Sequence, residues 1–505
     1  MDYEFYELNI NTFILISNLR INVYWCFMKS LRRNYIYNLI YQVVLVISPL
    51  ITTPYISRVL GAANIGIYSY AESIFTYFKM VAELGIGLYG QRELSYVRDD
   101  KEKRTQVFWE TKALEFITSI VAMILYLGFA ATQKEFSLYL VLLFGLLSGM
   151  FDIVWFFYGM EEVGKIVGRN LILKVVGISY IFLFVKTTDD LLVYAFGNMF
   201  FLFLSNLSLW LFLPKYISFP NWKEIHPLRN LKVSVALLLP TVTTQLFSAI
   251  DKTMIGRLTS NSLENGYYEQ ALKVERLALM VVTSVSVVLI PRIGYYFSNK
   301  NKEMLEHYMY KGYRVVWMIS IPMCMGLIGV SGNMVPWFFG AGYGPVRPLL
   351  CVLSFMVILM GINCINGSQY LIPTKRESLC TKIVWSGALI NLLFNIFLIP
   401  KMYAMGAVIA SVMSELITLI VYFYFIRNEL SIIKIMLCGT KYWGSGAVML
   451  VVLIVESRFF DPSVINTIIM IVTGAVTYGF VLLVLKDEMI IDMIDSLLRK
   501  LKIKS

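Results

Sequence analysis

The residues of this sequence best placed to do chemistry are charges set inside long apolar stretches. Glu72, Lys79 and Glu83 fall at steps of seven and eleven from the first, which puts all three on one face of a helix. Glu269, Lys273 and Arg276, at steps of four and seven, share a face in the same way, and Asp251 and Lys252 lie near the end of the stretch before them. A charge at the bilayer centre costs at least about 2.5–3.5 kcal/mol on insertion scales, so such faces turn to water or to a partner charge. The cations Lys79, Lys252, Lys273 and Arg276 are suited to receive an anionic group. The carboxylates Glu72, Glu83, Asp251 and Glu269 are suited to hold those cations in place or to relay counter-ions. Pairs such as Glu72–Lys79 and Glu269–Lys273 would instead only fix helix packing, but two such faces together favour a polar cleft. Asp152 and Lys174 suit a pair with each other as well as they suit a ligand.

Other chemistry finds little support. The six cysteines stand singly, and only His226 and His307 offer imidazole, so neither a metal site nor a disulfide framework is readable and no cofactor is implied. Gly85-Ile-Gly87-Leu-Tyr-Gly90 matches a dinucleotide-binding pattern, and Gly159-Met-Glu-Glu-Val-Gly164-Lys165 approaches a phosphate-binding loop. Neither follows a strand, and Ile166 stands where the second motif needs Ser or Thr for magnesium. No nucleophile with its base and no catalytic carboxylate pair emerges, so an enzyme is not expected.

The elements that must position the charges are membrane helices. The chain of 505 residues is 58% hydrophobic and 15% charged, with mean hydropathy +0.68, where soluble domains carry about 25% charged residues. About fourteen apolar segments are each long enough to cross the hydrocarbon core, the fifth being short at 170–186. The net charge of +11 resides in the connections between them, which directs it to lipid headgroups and away from nucleic acid. Its alternation places both termini in the cytoplasm. The segments are written twice: Gly66, Tyr68, Ala71, Arg92 and Tyr96 return as Gly266, Tyr268, Ala271, Arg292 and Tyr296. The expected fold is all-α, with two six-helix lobes related by a pseudo-two-fold along the membrane normal, plus two C-terminal helices. Residues 1–27 read as an N-terminal extension, an over-long start before Met28. The lobes span 28–226 and 227–428, and 429–505 holds the extra helices and a basic tail. Pro49 and Pro240, at corresponding places, are expected hinges in the first helix of each lobe.

Arg33-Asn-Tyr-Ile-Tyr-Asn38, Thr53-Pro-Tyr-Ile-Ser-Arg58-Val-Leu-Gly61, Gly66-Ile-Tyr-Ser, Tyr89-Gly-Gln-Arg92-Glu93, Asp99-Asp-Lys-Glu-Lys-Arg104 and Trp155-Phe-Phe-Tyr-Gly159-Met-Glu161-Glu162 together resemble bacterial oligosaccharide flippases of the Wzx type, in the MOP superfamily. The resemblance implies alternating access that moves an undecaprenyl-diphosphate-linked oligosaccharide across the bacterial plasma membrane for capsule, O-antigen or exopolysaccharide synthesis. It also implies a lipid-tail groove at the last two helices, and polysaccharide polymerase or chain-length machinery as partners beside membrane lipids. A diphosphate with sugars cannot cross hydrocarbon unaided, whereas a prenyl tail need never leave it. Two alternatives remain: a drug or cation exporter of the same superfamily, which would want a carboxylate-rich cleft, and a membrane polysaccharide polymerase, which would want a large external loop.

Overall fold

A computed structural model describes the backbone of residues 4–286 and 290–502, with side chains within 43–238, 245–284 and 290–495. The side chains of the 1–27 extension and of Pro240 therefore lie outside the described residues. All the described regular structure is helical. In the first half it runs α1 (Glu4–Glu83), α2 (Ile86–Tyr96), α3 (Lys101–Ala130), α4 (Phe136–Met150), α5 (Val154–Gly159), α6 (Val163–Phe184) and α7 (Leu191–Leu209). The second half follows with α8 (Leu231–Thr259), α9 (Ser262–Ser286), α10 (Ile290–Ser298), α11 (Lys302–Phe339), α12 (Val346–Cys364) and α13 (Glu377–Ile426). The chain closes with α14 (Ile432–Glu456), α15 (Val464–Val484) and α16 (Glu488–Lys502).

Among the described residues, ten helical segments are long and apolar enough to cross a membrane. Two of them are broken and hold two spans each. α1 breaks at Gly61, whose φ of 74° and ψ of 165° are open only to glycine; α13 breaks at Tyr403, where the Glu264 carboxylate accepts a hydrogen bond from the Ala404 amide at 3.1 Å. α8 and α9, at 29 and 25 residues, are also long enough to cross. Together these give the fourteen segments expected. The fifth is a full span and not a short one: α6 starts at Val163, so Arg169 belongs to the helix and not to the connection before it. Pro49 sits within α1, and the residue there that leaves helical geometry is Gly61.

The two copies of the repeat meet at equivalent positions. A Cβ on Gly66 would lie 1.7 Å from the Ser262 carbonyl oxygen and 2.9 Å from the Gly266 nitrogen, and one on Gly266 would lie 2.0 Å from the Ala62 carbonyl oxygen. Small residues thus let α1 and α9 touch backbone to backbone. Three residues further on, Ser69 donates to Glu269 at 3.3 Å. Contacts between residues offset by 200 are what a two-fold relation between the copies produces on its axis. Away from this seam, large apolar side chains such as Leu389, Phe397, Ile465 and Val476 are mostly exposed, as lipid-facing residues are.

Candidate functional site

The expected charges gather where α1, α8 and α9 cross, though not all in one place. Lys252 is buried and lies 2.6 Å from Glu269 and 3.5 Å from Glu72, while Lys273 approaches Glu269 from its other oxygen at 3.6 Å. Glu72, Lys252, Glu269 and Lys273 therefore form one network tying the two repeat copies together. Beside it, Ser73 and Tyr77 of α1 both hydrogen-bond Thr253 of α8, at 2.9 and 3.0 Å. The Glu269–Lys273 pair expected from spacing exists, but the tighter partner of Glu269 is Lys252. The Glu72–Lys79 pair does not form: Lys79 turns to Glu83 at 3.4 Å, one helical turn along, and both are partly exposed.

Asp251 points the other way. Its carboxylate accepts from the Tyr268 hydroxyl and the Asn395 amide, both at 2.6 Å, and from the Ser411 hydroxyl at 2.7 Å. It lies in the wall of a cavity of about 340 Å³ among α8, α9, α12 and α13, with Glu275, Glu415 and the exposed Arg276. Asn363 donates to Glu415 there at 2.7 Å. Glu275 and Glu415 were not singled out from sequence, although a carboxylate inside an apolar span was the available signal.

A second cavity, of about 460 Å³, opens between the first span of α1 and helices α6 and α7. Among the described residues its ionisable lining is Arg169, Lys174, Lys273 and the Tyr194 phenol, with no carboxylate; Asn170, Asn198, Thr52 and Ser205 are among its neutral polar groups, and Pro49 also lines it. Arg169 donates to Ser208 at 3.0 Å. Lys174 is exposed and, among the described residues, has no ion pair. It does not meet Asp152, whose side chain caps the start of α5 by accepting from the Val154 amide at 2.7 Å and lines a different cavity. Such a wall can hold a multiply charged anion with neutral hydrogen-bonding groups around it. The described residues contain no cluster of three or more metal-ligating side chains. Gly90, from the rejected dinucleotide pattern, has a packing reason instead: a Cβ there would strike the Trp155 ring at 2.5 Å.

Comparisons with known proteins bear on this arrangement. A family model described as "Polysaccharide biosynthesis protein" matches residues 31–297. A protein of Escherichia coli (strain K12) named "Putative O-antigen transporter" is 22% identical over 428 residues, covering 81% of this chain and 99% of that protein. Among solved structures, "Lipid II flippase MurJ, inward closed conformation" superposes with a TM-score of 0.71 at 16% identity, covering 90% of this chain and 100% of that one. An inward-facing multidrug resistance MATE family transporter of the MOP superfamily gives 0.62 at 14% identity, over 78% and 96%. These likenesses show the fold; they leave the lining of the cavities to be read from this chain.

Proposed function

The chain belongs to the polysaccharide biosynthesis protein family, and from that premise we propose that it is a flippase for undecaprenyl-diphosphate-linked oligosaccharide repeat units, carried from the inner to the outer leaflet by alternating access. The observation that carries this reading is the cation-only lining of the α1–α6–α7 cavity by Arg169, Lys174 and Lys273. A diphosphate entering hydrocarbon needs paired charge, and this wall supplies it from both repeat copies. Lys273 is shared with the buried network, so its position answers to Glu269, Lys252 and Glu72. Of the four cations expected from sequence, Lys273 faces the cation-lined cavity and is assigned to the anion, and Lys252 is assigned to holding the lobes together; Arg276 stands instead among the carboxylates of the other cavity. Lys79, paired with Glu83, is assigned to the approach.

The two lobes, 28–226 and 227–428, would rock about the α1–α9 contact, with the prenyl tail left in lipid beside the helices of 429–505. Both termini would sit in the cytoplasm of a bacterial cell, which leaves polymerase and chain-length proteins as neighbours on the outer side. Moving the diphosphate outward is favoured by roughly 2.3 kcal/mol per charge per 100 mV of inside-negative potential. The second reading, a cation or drug exporter, draws on Asp251, Glu275 and Glu415 in the α8–α9–α12–α13 cavity. Deleting the gene from its host separates the two. Accumulation of lipid-linked sugar with unchanged drug susceptibility is the expected result; hypersensitivity to cationic drugs without such accumulation would transfer the assignment to the exporter.

A further inference from the structure

A further cavity, of about 330 Å³, lies between the end of α1, α2, α3 and α5 on one side and α8 on the other. That is within the range of small-ligand sites, about 300–1,000 Å³. Its acceptors are carboxylates, each already held in place by one partner. Glu115 is fixed by the fully buried Lys112 at 2.7 Å, Glu83 by Lys79 at 3.4 Å, and Asp152 by the Val154 amide at 2.7 Å. Each keeps lone pairs for another donor. Gln91 and Gln245, one from each repeat copy, line it with their amides, and Trp155 and Tyr158 add an indole and a phenol to the wall. Trp155 is only 5% exposed, stacks on Phe108 at 5.7 Å and covers Gly90, yet its N–H finds no acceptor in the protein. A buried donor left unpaired is costly, and so points to a group that fills it.

The chemistry of the occupant follows by elimination. Among the described residues no cation lines this cavity, so three carboxylates would repel a phosphate. A bare metal ion has no use for an indole N–H and two amide NH₂ groups. A hydroxyl donates and accepts at once, and a ring bearing several of them satisfies interleaved carboxylates and N–H groups. Location agrees: Val154 is part of the wall both here and in the cation-lined cavity. A molecule whose diphosphate rests at Lys174 and Lys273 would lay its next unit in this space. We propose that this cavity binds the sugar ring attached to the diphosphate, with Trp155, Gln91, Gln245, Glu83 and Asp152 as its hydrogen-bonding groups; the inference rests on the flippase reading given above.

The test uses the purified full-length chain in lipid nanodiscs and two probes, undecaprenyl diphosphate and undecaprenyl-diphosphate-N-acetylglucosamine, with bound lipid read by native mass spectrometry. Trp155→Phe removes the N–H and keeps the ring that packs on Phe108. Gln91→Leu, at an exposed position, decides the matter if Trp155→Phe fails to fold. The wild type is expected to prefer the sugar-bearing lipid. Each variant should cut that preference about three- to tenfold, the worth of one hydrogen bond, with affinity for the bare lipid unchanged. An unchanged preference in the variants, or equal weakening of both lipids, overturns the sugar site and leaves the flippase reading standing. Binding of neither lipid by the wild type overturns both.

Discussion

Lys252 and Lys273 look alike in the sequence and differ in everything that surrounds them. Lys252 is sealed between Glu269 and Glu72, with a side chain 7% exposed. Removing one partner of a buried pair leaves the other charge stranded, which costs about 3–5 kcal/mol. Lys252→Ala is therefore expected to lower the thermal unfolding midpoint and the yield of folded protein, whereas Lys174→Ala, at an exposed cavity wall, should leave both unchanged. Equal melting of the two variants would remove Lys252 from its structural role. The sequence made the charges legible, because a charge in an apolar span is conspicuous. It did not make their partners legible, because Lys252 finds Glu72 across 180 residues and Lys79 finds Glu83 within one turn. Arg169 was hidden for a different reason: hydropathy blurs span ends by several residues, and α6 begins early enough to enclose it.

At the scale of elements, the α1–α9 contact depends on having no side chain at two positions. Gly266→Val would drive methyl groups into the Ala62 carbonyl, so the helices must part. Transport should fall at least about tenfold while the rest of the bundle still folds. Gly266→Val transporting as fast as the wild type would deny that the helices touch there. A second element-level device ties the ends of α12, α13 and α14. Arg376 grips Glu429 with two hydrogen bonds of 2.8 Å each, and the Tyr370 hydroxyl donates to the same carboxylate. Burial pushes Glu429 up, but the Arg376 guanidinium and Tyr370 outweigh it and hold the carboxyl below its ordinary range. A carboxylate depressed in the fold stabilises above its unfolded value, about 4.3, and loses that contribution as pH falls through the folded value. Melting of the wild type should thus drop between about pH 5 and pH 3 by more than that of Glu429→Gln, and parallel curves would contradict the assignment. The number of spans and the repeat were readable because apolar length and repeated residues survive in one dimension. The Gly61 break was not, since Pro49 and Pro54 stood nearby as more obvious candidates.

For the molecule as a whole, two similar halves meet on a polar seam and leave cavities of opposite character on either side. The α1–α6–α7 cavity, joined by Lys273, presents cations; the α8–α9–α12–α13 cavity presents Asp251, Glu275 and Glu415 against Arg276. The repeat predicted the relation between the halves, but their opposite charge was not legible, because it depends on which face of α6, α9 and α13 turns inward. The proposed anionic headgroup fits the cation-lined cavity, and the family supplies the reason to look for a lipid-linked glycan. The most direct measurement is transport in proteoliposomes of a fluorescent undecaprenyl-diphosphate-linked sugar, comparing the wild type with the Lys174→Ala/Lys273→Ala double variant. The wild type should carry the lipid across, faster when the receiving side is positive, and the double variant should fall below about a tenth of that rate at equal amounts of folded protein in the membrane. A double variant as fast as the wild type would contradict the cation-lined passage on which the account rests.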